Sequence, residues 1–109
     1  MCVMASLPVA CDLKAISAGQ RPRYDELVSR LRAAMRDRCE LTDGYSYSLD
    51  LTNITSSEVA EWIAIERLCC PFLIFQLEGA GEASRLTMRG PEGSKAVLRD
   101  EFPAGGQNG

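Results

Sequence analysis

Pro71 separates two stretches of different hydrophobic periodicity, and this junction constrains the fold more than any other feature of the chain. Upstream, apolar residues from Val59 onward recur at helical spacing, which predicts an amphipathic helix. That helix should end at about Cys70, because proline disfavours the helical conformation of the residue before it. Downstream, residues 72–77 are almost continuously apolar, which predicts a central strand buried on both faces.

The other elements follow from the same periodicities and from turn residues. Pro22 suits the first position of a helix, and the Thr55–Glu58 spacing is typical of a capping box. In chain order the predicted elements are strand 9–13, helix 22–37, strand 45–51 with a short partner at 39–41, a helix from Thr55 to about Cys70, strand 72–77, strand 85–89 and a short helix capped by Ser94. The order β-α-β-α-β-β-α predicts an α+β fold, a two-layer sandwich with helices on one face of a small mixed sheet.

Composition favours one domain at residues 1–102, followed by a disordered tail at 103–109. The 109 residues are 46% hydrophobic and 25% charged, which is ordinary for a globular domain. The net charge is −3 and the two signs are interspersed, so no nucleic-acid partner is expected. No apolar run approaches the roughly 20 residues of a membrane span, and the N-terminal residues lack a signal-peptide pattern. We therefore predict a cytoplasmic protein with no membrane partner.

The cysteines and the absence of histidine narrow the chemistry. The chain has five cysteines and no histidine. An odd count in a reducing compartment predicts free thiols rather than a disulfide framework. Without histidine, Ser-His and Cys-His nucleophiles and histidine-bearing zinc sites are excluded. No complete catalytic constellation is present, so no catalytic residue is assigned and a non-enzymatic function is favoured.

Glu66 lies in the middle of an apolar helical face that Cys69 and Cys70 complete. Burying a carboxylate there is costly unless it is paired or protonated, or binds a metal. Three interpretations remain open: a structural ion pair between Glu66 and an arginine, a soft-metal site, and a redox or catalytic thiol. The last is disfavoured, because the C-terminal end of a helix destabilises a thiolate, although Arg67 lies close enough in sequence to offset this in part.

Thiolate ligands select soft or borderline ions such as zinc, copper(I) or mercury(II). The predicted metal ligands are the Cys69 and Cys70 thiolates and the Glu66 carboxylate, with Cys11 as a third thiol and Pro71 fixing the exit of the chain. We therefore predict a soft-metal-binding or thiol-sensing domain. The alternative is a non-enzymatic structural or interaction module, a homodimer in which Glu66 forms a structural ion pair.

Several short motifs also carry a resemblance to other proteins. In chain order they are Ala10-Cys11-Asp12-Leu13, the arginine-rich first helix, Asp43-Gly44-Tyr45, Glu66-Arg67-Leu68-Cys69-Cys70-Pro71-Phe72 and Arg89-Gly90-Pro91-Glu92-Gly93. Together they resemble a group of small uncharacterised bacterial proteins, and the likeness covers most of residues 9–98. The Glu-Arg-x-Cys-Cys-Pro-Phe segment is the most specific part. The resemblance implies a single-domain bacterial protein and supplies neither a substrate nor a catalytic residue.

Overall fold

The computed structural model describes residues 12–80 and 83–102. After a short 3-10 helix at Leu13–Ala15, the elements are α1 (Arg21–Ala34), β1 (Met35–Leu41), β2 (Gly44–Leu49), α2 (Ser56–Cys69), β3 (Ile74–Ala80), β4 (Ala83–Arg89) and α3 (Ser94–Glu101). The predicted α+β class is confirmed, although the described part of the chain begins with helices rather than with a strand. None of the helices in this part is long and apolar enough to cross a bilayer.

The four strands form one sheet in the order β1-β2-β4-β3, and every pairing among them is antiparallel. Within the described residues the sheet is therefore antiparallel, not mixed as the sequence predicted. Tyr45 pairs with Met88 and Tyr47 with Leu86, which places large apolar side chains of β2 and β4 on the same face. These four residues are buried in the core beneath the helices.

The first predicted helix is confirmed, but it ends at Ala34 rather than at residue 37. Met35, the residue after the helix, has extended backbone angles and begins β1, which pairs with β2. The short partner strand expected at residues 39–41 is therefore the second half of a longer edge strand. Inter-strand hydrogen bonds override the helical spacing here, which is how tertiary context commonly displaces a local preference.

The strand expected at the centre of the sheet lies instead at its edge. Among the described strands, β3 pairs with β4 alone, and Ile74 is 66% exposed. A central strand was predicted because residues 72–77 are almost continuously apolar. The first two of them, Phe72 and Leu73, are instead buried in the connection before the strand begins. Phe75 and Leu77 are the strand residues that pack against the core.

Two terminal predictions lie mostly or wholly outside the described residues. Of the strand predicted at 9–13, residues 9–11 are not described, and Leu13 belongs to the 3-10 helix. The tail at 103–109 is likewise outside the described part of the chain. At α3 the cap differs from the prediction: Gly93, with φ of 97°, is the capping residue, and Ser94 is the first residue of the helix.

Candidate metal and thiol site

Helix α2 positions the candidate residues because both of its ends are well defined. At the start, the Thr55 side chain accepts a hydrogen bond from the Glu58 backbone N–H, and the Glu58 carboxylate accepts one from Thr55 N–H. This is the predicted capping box. The inner face of the helix buries Val59, Trp62 and Ile65 together with Glu66 and Cys69. Trp62 anchors that face through edge-on contacts with two phenylalanine rings, at centroid distances of 5.5 and 5.6 Å.

The C-terminal end of α2 places Cys70 beside the helix. Its N–H donates to the Glu66 carbonyl at 2.8 Å, and its carbonyl accepts from Leu73 N–H at 3.2 Å. Cys70 is therefore the last hydrogen-bonded residue of the helix and the first of the turn that leads to β3. Pro71 lies exposed within that turn, as expected for a residue that fixes the exit, and Arg67 is exposed on the outer face.

Glu66, Cys69 and Cys70 converge as the helical projection predicted. One carboxylate oxygen and the two sulfur atoms all lie within 4.8 Å of one another. The two sulfurs are 3.8 Å apart. Glu66 is only 1% exposed and both cysteines are fully buried. A cluster of one oxygen and two sulfur atoms with this spacing is a potential metal site, since each residue offers one ligand atom.

Glu66 is bound by a tyrosine rather than by an arginine. The Tyr24 hydroxyl of α1 donates a hydrogen bond to Glu66 Oε1 at 2.6 Å. Within residues 12–80 and 83–102, no ion pair includes Glu66. The structural ion pair of the alternative hypothesis is thus not found in the described part of the chain. Burial raises the pKa of Glu66 to about 7, and the Tyr24 hydrogen bond opposes that rise.

The environment keeps Cys69 and Tyr24 protonated. Burial, followed by the nearby Glu66 carboxylate, raises the pKa of the Cys69 thiol to about 12. Burial and the same carboxylate also raise the pKa of Tyr24. A thiol held in this form is a poor nucleophile at neutral pH, because the thiolate is the reactive species. A metal ion could still bind such a thiol, since a bound ion itself drives the proton off.

The cysteines are not all free, which corrects the prediction made from their count. Cys39 and Cys69 are free thiols, and Cys39 is exposed. Cys70 is disulfide-bonded, and neither of the other two described cysteines is its partner. The disulfide could not be predicted from the odd number of cysteines, because a count does not report which sulfur atoms the fold brings together.

Cys11, the predicted third thiol, lies outside the described residues, but its neighbour in the chain does not. The Asp12 backbone N–H donates to the Cys69 carbonyl at 2.8 Å. Asp12 therefore lies at the C-terminal end of α2. Tyr24 is the site residue that the sequence did not single out. It occupies an apolar position of α1, and the sequence does not distinguish a tyrosine that only fills the core from one whose hydroxyl binds a buried partner.

Comparison with known proteins adds no family. A search of protein-family models, of curated proteins and of solved structures finds no match to this chain. The candidate site therefore stands on its own geometry: a buried carboxylic acid, a tyrosine hydroxyl, a thiol and a sulfur that is engaged in a disulfide.

Proposed function

We propose that the protein is a small domain that binds a soft or borderline metal ion through Glu66, Cys69 and Cys70 when its thiols are reduced. The observation that carries the proposal is the convergence of their ligand atoms within 4.8 Å inside a buried site. The ion classes are those that thiolates select: zinc, copper(I) or mercury(II). Reduction of the Cys70 disulfide supplies the second thiol of the pair.

The sulfur–sulfur distance supports two sulfurs on one ion. In a tetrahedral zinc site each sulfur lies about 2.3 Å from the metal, which places two sulfurs about 3.8 Å apart. Cys69 Sγ and Cys70 Sγ are separated by 3.8 Å. These two sulfurs therefore have the spacing that a tetrahedral ion requires, even in the disulfide-bonded form of Cys70 that the structure describes.

Closed zinc sites have four ligands, so the three described residues leave one position to fill. We propose Cys11 as the additional thiol. It immediately precedes Asp12, whose N–H is bonded to the Cys69 carbonyl. Tyr24 would act outside the ligand set, orienting the Glu66 carboxyl group through its hydrogen bond to Oε1.

The test measures thermal stability of fully reduced protein with and without zinc, copper(I) or mercury(II). An ion at about 100 times its Kd stabilises the folded state by about 2.7 kcal/mol, which raises the Tm of a domain this size by about 10 °C. Cys69→Ser and Cys70→Ser should abolish the shift, and Glu66→Gln should reduce it. Cys39→Ser is the matched control, because Cys39 is a free and exposed thiol away from the site.

Two results would contradict the proposal. One is the absence of a Tm shift with all three ions in reduced protein. The other is an equal shift in wild type and in the Cys69→Ser/Cys70→Ser double variant, which would place binding elsewhere. Native mass spectrometry of the reduced protein with one added ion gives the stoichiometry directly, and one ion per chain is expected.

A second candidate function is self-association through the edge of the sheet. Strand β3 is at the edge of the sheet that residues 12–80 and 83–102 form, and Ile74 on it is 66% exposed. Unpaired edges with exposed apolar residues are templates for pairing with another chain. We propose a homodimer joined along β3, which sedimentation at micromolar concentration would detect. Ile74→Lys should shift it toward monomer, and a wild-type monomer under these conditions would contradict the idea.

A further inference from the structure

Cys70 exists in the structure as half of a disulfide while its neighbour Cys69 remains a thiol 3.8 Å away. A disulfide sulfur is not a thiolate, and the thiolate is the form that binds metal. The same atom therefore has two incompatible states: bonded to sulfur, or available to an ion. Because Cys70 is fully buried, the two states would have to compete for the same enclosed site.

We propose that the redox state of Cys70 gates the site, so that the disulfide form excludes the metal ion and the dithiol form takes it up. This inference rests on the proposed metal-binding function and adds its regulation. The domain would then report the thiol redox state of its surroundings through its metal occupancy, and metal supply through its resistance to oxidation.

The redox step balances with a small-molecule thiol as reductant. Two molecules of a monothiol such as glutathione deliver two electrons to the disulfide of Cys70. The sulfur–sulfur bond breaks, each released sulfur takes one proton, and the monothiols leave as their own disulfide. A divalent ion then replaces the thiol protons, releasing one proton for each thiolate it binds.

Cys69 is not assigned the attacking role in this step. It lies close enough to contact the Cys70 sulfur, but its thiol is fully buried beside the Glu66 carboxylate, which disfavours the thiolate. Its role is to be the ligand that stays reduced. The Cys69 thiol is already present in the disulfide form, and reduction of Cys70 supplies the second thiol ligand.

Linkage gives the size of the expected effect. An ion that binds only the dithiol form favours reduction by the factor 1 + [ion]/Kd. With zinc at about 100 times its Kd, the glutathione ratio [GSH]²/[GSSG] needed for half-reduction falls about 100-fold, equivalent to about 60 mV at 29.6 mV per tenfold change. Zinc must lower the glutathione ratio for half-reduction rather than raise it, because it stabilises only the dithiol form that it binds.

The experiment equilibrates the full chain in graded glutathione buffers, with zinc and with a chelator instead. Trapping free thiols with a maleimide of large mass and counting them by mass spectrometry gives the reduced fraction. The expected result is a half-reduction point about 100-fold lower with zinc. Cys39→Ser should keep that shift, while Cys69→Ser should keep the disulfide and lose most of the shift. Cys11→Ser, analysed by peptide mapping, tests whether Cys11 is the sulfur bonded to Cys70.

The possible results distinguish failure of the redox regulation from failure of the metal-binding function. If the reduced protein binds zinc but the half-reduction point does not move, or if the disulfide form binds zinc equally well, the gate is overturned and the metal site stands. If the reduced protein binds none of the three ions, both the proposed metal site and its redox regulation are contradicted. A folded Cys69→Ser variant with an unchanged zinc shift would also overturn the gate as drawn.

Discussion

Replacing Glu66 by glutamine should make the protein less sensitive to rising pH. Glu66 is 1% exposed, receives one hydrogen bond from Tyr24, and forms no ion pair among the described residues. Its pKa rises from an ordinary 4.5 to about 7, chiefly because burial disfavours the charged form. Glutamine has nearly the same shape and cannot ionise, so it removes the titration while keeping an oxygen for Tyr24 to bond.

Proton binding by Glu66 determines how stability changes with pH. Between pH 4.5 and pH 7 the folded state holds the Glu66 proton and the unfolded state has lost it. Stability therefore falls as pH rises through this window and levels off above it. At 1.36 kcal/mol per pKa unit, the difference between 4.5 and about 7 corresponds to about 3 kcal/mol. Glu66→Gln should recover about that amount at roughly pH 8 relative to its effect at roughly pH 4.

The assay is chemical denaturation of wild type and variant across this pH range, with the disulfide intact and a chelator present. The measured quantity is the change with pH in the stability difference between the two proteins. Glu61→Gln on the same helix is the matched control, because its pKa is lowered by the hydrogen bond from Arg23 rather than raised. A stability difference that stays constant across the range would refute the assignment of a buried, unpaired acid.

Three further predictions concern neighbouring features. Tyr24→Phe removes the hydrogen bond that lowers the pKa of Glu66, so the pH midpoint of the stability loss should move upward in the same denaturation series. Alkylation of the native protein, followed by peptide mass mapping, should label Cys39 rapidly and Cys69 only on unfolding, because burial raises the pKa of Cys69 to about 12; equal labelling rates would contradict the site geometry. Gly44→Ala should destabilise by about 1–3 kcal/mol or more in urea denaturation, since its Cβ would lie 1.9 Å from a backbone oxygen of β4, and an unchanged midpoint would contradict the register.

Much of the fold could be predicted from sequence because local signals determine it. The Thr55–Glu58 capping box and Pro71 define both ends of α2, so most of its inner face could be predicted from spacing, although Ile65 rather than Ile63 is the buried isoleucine. The edge position of β3 could not be, because a continuous apolar run looks the same whether it fills a central strand or a buried connection. Here Phe72 and Leu73 are buried in the connection between α2 and β3, and the exposed Ile74 begins the strand.

The site was half predictable for the same physical reason. Glu66, Cys69 and Cys70 share one helix end, so helical geometry alone places them together. The Tyr24 hydroxyl reaches Glu66 from 42 residues away in the chain, and that contact exists only because α1 and α2 pack side by side. The disulfide-bonded state of Cys70 could not be predicted either, because residue spacing does not report which sulfur atoms the fold brings together.

The burial of the ligand cluster also has a kinetic consequence. An ion cannot reach atoms that are fully enclosed until part of the structure opens, so entry would be controlled by the frequency of that opening rather than by diffusion. The observed binding rate should then rise with ion concentration only up to a ceiling equal to the opening rate. Release would face the same barrier, and a domain built this way would retain its ion long after the free concentration outside had fallen.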